Sequence, residues 1–125
     1  MRILLVDDDS GSLMGIKFAI EMMGYDCDDC LSPVEAVEKY SPEYHDMVVI
    51  DYQMPELSGF EVLRRMRLKN PELEAIIISG CITIKEKPDN LPFVFLKKPL
   101  GDDFFQALQE IEKRREASNN NSKQK

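Results

Sequence analysis

Met47-Val48-Val49-Ile50 is an unbroken apolar run that stops on a carboxylate, Asp51. A short run of this kind suits a strand buried on both faces, the situation of strands in a parallel sheet covered by helices on each side. Pro55 and Gly59 follow within eight residues, so the chain turns at once, and a helical pattern begins at Gly59. A buried strand that hands an acid to a loop and then a helix is one half of a βαβ unit. In open α/β sheets ligands bind at those carboxyl ends of strands. Asp51 is therefore the residue to explain, and the other strand ends are where its partners should lie.

The same grammar repeats along the chain. Arg2–Val6 is an apolar run cut off by Asp7-Asp8-Asp9. Asp9 or Ser10 can cap the helix that follows, in which Leu13, Ile16, Ile20 and Met23 form one stripe, and Gly24 suits its C′ position. Tyr25–Cys30 is more polar and reads as an edge strand. Ser32-Pro33-Val34-Glu35 carries three helix-start signals, with Val34, Val37 and Tyr40 expected to face inward before Pro42. A helix from Gly59 to about Lys69 should bury Phe60, Leu63 and Met66 or the stem of Arg67. Ala75–Ile78 is a fourth strand ending in Ser79-Gly80, and Phe93–Leu96 a fifth ending in Lys97-Lys98-Pro99. Between them, residues 81–92 hold two prolines and β-branched residues, so the fourth of five helices is short or missing. A last helix from Asp102 or Asp103 places Phe104, Leu108 and Ile111 on one face.

Strand and helix alternating in this way call for a doubly wound α/β fold. Right-handed crossovers give a flavodoxin-like (βα)5 architecture with a five-stranded parallel sheet in the order 2-1-3-4-5. One domain over residues 1–115 is expected, with 116–125 a polar disordered tail or truncated linker. The net charge is −7; residues 113–125 carry +4, leaving −11 on the rest, which disfavours nucleic acid binding by the domain itself. No run is long and apolar enough to enter a membrane, no export signal is evident, and the three cysteines are an odd number, so a reduced cytoplasmic location is expected.

The strand ends carry chemistry. Asp7 and Asp8 follow the first strand, Asp51 ends the third, Ser79 the fourth and Lys98 the fifth, and these strands are neighbours in the proposed order. Packed carboxylates repel one another unless a cation joins them. Mg²⁺ takes oxygen ligands and needs only one or two carboxylates, so Asp7, Asp8, Asp51 and the main-chain oxygen of Gln53 read as its site. A carboxylate beside Mg²⁺ can attack phosphorus to give an aspartyl phosphate, with Lys98 as a second cation and Ser79 as a hydrogen-bond donor. Gly80 keeps the approach open.

The ordered set Asp7-Asp8, Asp51-Tyr52-Gln53-Met54-Pro55 with Gly59, Ser79-Gly80 and Lys98-Pro99 resembles the receiver domain of a two-component response regulator, of the CheY-like kind, over residues 1 to about 115. The resemblance implies Asp51 as phosphoacceptor, Asp7 and Asp8 as Mg²⁺ ligands, Ser79 as switch hydroxyl, Lys98 as the phosphate-pairing lysine and Phe95 as switch aromatic. It also implies a cis peptide before Pro99. A histidine kinase or phosphotransfer protein would be the donor, the output partner is unspecified, and a homodimer is compatible with the family. The domain would be a signalling module with slow self-catalysed phosphorylation and dephosphorylation, not an enzyme. Phe95 stands where tyrosine is commoner. The alternative is a non-cycling pseudo-receiver acting as an interaction module; the short 81–92 segment favours it and the intact acids oppose it. A haloacid-dehalogenase-like hydrolase is disfavoured because Gln53, not an acid, lies two residues after Asp51. Cys27-Asp28-Asp29-Cys30 reads as accidental spacing, and His45 as a surface residue.

Overall fold

The computed structural model describes residues 1–80 and 93–123, with side chains described as far as Ser118. Five strands, β1 (Arg2–Val6), β2 (Asp26–Cys30), β3 (Met47–Asp51), β4 (Glu74–Ser79) and β5 (Val94–Lys97), form one parallel sheet in the order β2-β1-β3-β4-β5. Among the described residues four helices cover it: α1 (Ser10–Met22), α2 (Pro33–Lys39), α3 (Gly59–Met66) and α4 (Asp102–Lys123). The shortened fourth helix expected between β4 and β5 falls on residues 81–92, outside the described residues.

Strand alternation divides the core in two. Leu4, Val6, Val48, Ile50, Ala75 and Ile77 face α2 and α3, where they meet Ala36, Tyr40, Val62, Leu63 and Met66. Ile3, Leu5, Met47, Val49, Ile76 and Ile78 face the other way, against Leu13, Ile16 and Ile20 of α1 and Phe104, Leu108 and Ile111 of α4. Both faces of the three middle strands are therefore dry, which is why β1, β3 and β4 are apolar runs and the edge strand β2 can be polar.

The helix boundaries follow their caps. The Asp9 side chain accepts the Ser12 N–H at the start of α1, and Ser32 and Ser58 do the same for Glu35 and Glu61 in α2 and α3. Gly24, with φ at 91°, closes α1. Two details depart from the sequence reading. In α2 the inward stripe is Pro33, Ala36, Val37 and Tyr40, so Val34 is 39% exposed. Helix α3 stops at Met66 rather than near Lys69 and buries Val62, with Phe60 only partly covered. Helix α4 runs on to Lys123. Among the described residues its last core residue is Ile111; Lys113, Arg114, Glu116, Ala117 and Ser118 are exposed.

His45 corrects the sequence reading most sharply. It is 3% exposed. Its Nδ1 accepts the Ser41 N–H at 3.0 Å, its Nε2 lies 3.0 Å from Asp28 Oδ2, and the rings of Tyr40 and Tyr44 flank it. The imidazole joins edge strand β2 to the turn before β3, at the end of the sheet away from Asp51. Cys27 and Cys30 are both free, and odd spacing along β2 sends them to opposite cores. Burial pushes the Cys27 thiol up to about 12, the reverse of what a redox pair requires.

Candidate functional site

The carboxyl edge of the sheet is extended by single backbone hydrogen bonds just past the strands. Asp7 N–H donates to Cys30 O at 3.2 Å, Tyr52 N–H to Ile78 O at 2.7 Å, and Lys98 N–H to Ser79 O at 2.8 Å. These bonds fix the first loop residue after β1, β3 and β5, and so fix where their side chains emerge. Asp7, Asp8 and Asp51 consequently offer carboxylate oxygens that all lie within 4.8 Å of one another. Asp7 is 1% exposed and Asp51 8%, while Asp8 is exposed.

Lys98 closes the cup. Its Nζ lies 3.2 Å from Asp7 Oδ2 and 3.2 Å from Asp51 Oδ1. A third acceptor is Ser12 Oγ at 2.9 Å, and Ser12 in turn donates to Asp7 Oδ2 at 2.7 Å. Asp7 Oδ1 accepts the Asp9 N–H at 3.0 Å. Burial raises the Asp51 carboxyl to about 6, with the negative charge of Asp7 adding to it and Lys98 opposing it. Burial works against the Lys98 ammonium, but Asp51 and Asp7 outweigh it and hold its pKa above the usual lysine value.

The remaining sequence candidates are placed as follows. Ser79 ends β4 beside Asp51's strand and is fully buried. The Lys98–Pro99 peptide is cis. Phe95, in β5, is 37% exposed. Gln53 is exposed, two residues beyond Asp51. Gly80 is exposed, and among the described residues a Cβ built on it would meet only Lys98 Cδ at 4.0 Å, an ordinary contact. Gly59 is different: a Cβ there would stand 2.7 Å from the Asp51 carbonyl oxygen and 3.0 Å from Tyr52 Cα. The glycine lets α3 begin directly against the backbone that carries Asp51, and its N–H donates to Tyr52 O at 2.9 Å. Ser12 escaped the sequence reading. The available signal was a hydroxyl in the first turn of the helix that directly follows the acids.

Three carboxylates at so short a range, one open to solvent and two buried, are a donor set of hard oxygens that suits Mg²⁺. A parallel sheet in this order with an acidic cup at its carboxyl edge defines a CheY-like α/β domain. A solved response regulator receiver domain protein from Clostridium thermocellum superposes with a TM-score of 0.81 at 28% identity, covering 93% of this chain and 97% of that one. The chain belongs to the response regulator receiver domain family, whose model matches residues 3–108. Among curated relatives, the sensor protein EvgS of Escherichia coli strain K12 is 33% identical over 73 residues, 58% of this chain and 6% of that protein. The cell cycle response regulator CtrA of Brucella ovis is 28% identical over 106 residues, 82% of this chain and 46% of that protein. The chain thus spans less than half the length of either relative.

Proposed function

We propose that this receiver domain accepts a phosphoryl group on Asp51 from a phosphohistidine donor, a histidine kinase or phosphotransfer protein, in a Mg²⁺-dependent reaction. The observation that carries the proposal is the cup itself: Asp7, Asp8 and Asp51 gathered within 4.8 Å, with Lys98 Nζ spanning Asp7 and Asp51 at 3.2 Å each. Asp7, Asp8, Asp51 and the Gln53 main-chain oxygen would hold Mg²⁺, which offsets the negative charge that gathers as phosphoryl transfers. An Asp51 carboxylate oxygen forms the new P–O bond while the P–N bond to the donor imidazole breaks. The imidazole nitrogen leaves with the electron pair and is protonated. Lys98 exchanges its contact with Asp51 for one with a phosphoryl oxygen, and the Ser79 hydroxyl donates to another. Displacing Lys98 and drawing on Ser79 couples the modification to β4 and β5, and Phe95 in β5 reports it to a partner surface. The same cup would run the phosphoryl onto water slowly, giving self-catalysed dephosphorylation.

The test is exposure of the purified chain to phosphoramidate and Mg²⁺, followed by intact mass measurement. One added phosphoryl group, labile to hydroxylamine as an acyl phosphate is, is expected for the parent and none for Asp51→Asn. An unmodified parent, or equal modification of both proteins, would remove Asp51 from the role.

A further inference from the structure

We infer that Ser12 is a positioning residue of the phosphoryl site, holding the Asp7 carboxylate and the Lys98 ammonium in register through one hydroxyl. The inference rests on the phosphoacceptor reading above and adds to it a residue outside the strand-end set.

The bonding at Ser12 runs in one direction only. An ammonium donates and cannot accept, so Lys98 Nζ gives a proton to Ser12 Oγ at 2.9 Å and the hydroxyl proton is left for Asp7 Oδ2 at 2.7 Å. Lys98 has three N–H donors and meets three acceptors: Ser12 Oγ, Asp7 Oδ2 and Asp51 Oδ1. Asp7 is clamped from both sides, with the Asp9 N–H on Oδ1 and Ser12 on Oδ2. The Ser12 backbone has its own support, because its N–H is capped by Asp9 Oδ2 at 3.3 Å. Its half-buried side chain is thereby presented from the first turn of α1 to the cup.

Two consequences follow. A carboxylate that ligates a metal binds better when an outer hydrogen bond already holds its orientation, and losing such a bond typically weakens metal binding by 10–100-fold. Ser12 also gives Lys98 an anchor other than Asp51, so the ammonium stays beside the cup when the Asp51 oxygen takes up phosphorus. A serine that merely occupied a helix's first turn would do neither. Its removal would alter stability alone, and in the favourable direction, since alanine is the better helix former.

The test compares the parent, Ser12→Ala and Ser12→Thr. Threonine keeps the hydroxyl, and its methyl has room in a cavity of about 570 Å³ lined by Gly11, Ser12, Gly15, Lys98 and Leu100 among others. Calorimetric titration with Mg²⁺ alone should show affinity lower by about tenfold in Ser12→Ala and within about twofold of the parent in Ser12→Thr. In metal-free protein the amide signal of Asp9, which is bonded to the clamped Asp7, should shift in the alanine variant and hold in the threonine one. Metal-free melting of Ser12→Ala should fall below the parent, because the buried Asp7 carboxylate loses its bond at 2.7 Å, whereas a serine serving the helix alone would leave the melt level or higher. Parent-like Mg²⁺ affinity in Ser12→Ala, or an equal loss in Ser12→Thr, overturns the role of the hydroxyl while leaving the phosphoacceptor reading in place. A parent that binds no Mg²⁺ overturns both.

Discussion

Asp51 is held against its own ionisation. Burial first, and then the charge of Asp7, lift its carboxyl to about 6 despite Lys98. An acid whose pKa is higher in the folded than in the unfolded chain makes the native state bind the proton more tightly between roughly pH 4 and pH 6. The sign is therefore the reverse of a salt-bridged aspartate: the cost of this carboxylate is complete above about pH 6 and fades as pH falls toward 4. Asp51→Asn should stabilise the metal-free protein by about 2 kcal/mol near pH 7.5, with the gain vanishing near pH 4. Urea unfolding in a chelating buffer at both pH values reads this, and a gain that grows on acidification would contradict it. At this scale the acids and Lys98 were legible in the sequence, because each ends an apolar run. Ser12 and His45 were not. Their roles come from partners 86 and 17 residues away, Lys98 and Asp28, and no local pattern encodes such distances.

Helix α3 and the loop before it show how an element serves the site. Gly59 begins α3 where a Cβ would press on the Asp51 carbonyl oxygen at 2.7 Å, and that oxygen is main chain and cannot rotate aside. Propensity alone would make Gly59→Ala favourable by about 1 kcal/mol. Overpacking costs roughly 1–3 kcal/mol, so the net expectation is destabilisation by up to about 2 kcal/mol. The shift needed to relieve the clash moves Asp51, so Mg²⁺ affinity should fall as well. A variant as stable as the parent, with unchanged Mg²⁺ binding, would show that the loop has slack. The start of α3 at Gly59 was legible in the sequence, but its Ser58 cap went unread and the reason for the glycine was not legible, since close approach is a tertiary fact. Helix α2 illustrates a limit of periodicity. Val34 and Ala36 compete for the inward face, and the smaller residue takes it because Pro33, Val37 and Tyr40 set the stripe. The continuation of α4 past Ile111 left no apolar stripe to read, since Lys113, Arg114, Glu116, Ala117 and Ser118 are exposed.

For the whole molecule, the strand order was legible because burial on both faces writes a continuous apolar run into β1, β3 and β4, and right-handed crossovers leave few ways to arrange them. Among the described residues no helix is long and apolar enough to cross a membrane. The assembled sheet gathers acids from β1 and β3 into one cup, and a ligand that binds only this gathered state must stabilise the fold as a whole. Mg²⁺ at about a hundredfold over its dissociation constant should add about 2.7 kcal/mol to unfolding of the parent. Asp8 is the residue that isolates this linkage. It is exposed, whereas Asp7 is bonded to Asp9, Ser12 and Lys98 in the metal-free protein, so Asp7 substitutions mix two effects. Asp8→Asn should therefore melt with the parent, or slightly above it, without Mg²⁺, since it removes a like charge that bears on Asp51. It should then lose most of the rise that Mg²⁺ gives the parent. Thermal melts of both proteins with and without the ion measure the difference. Parallel rises in parent and variant would place the ion elsewhere on this acidic surface and leave the cup without a metal.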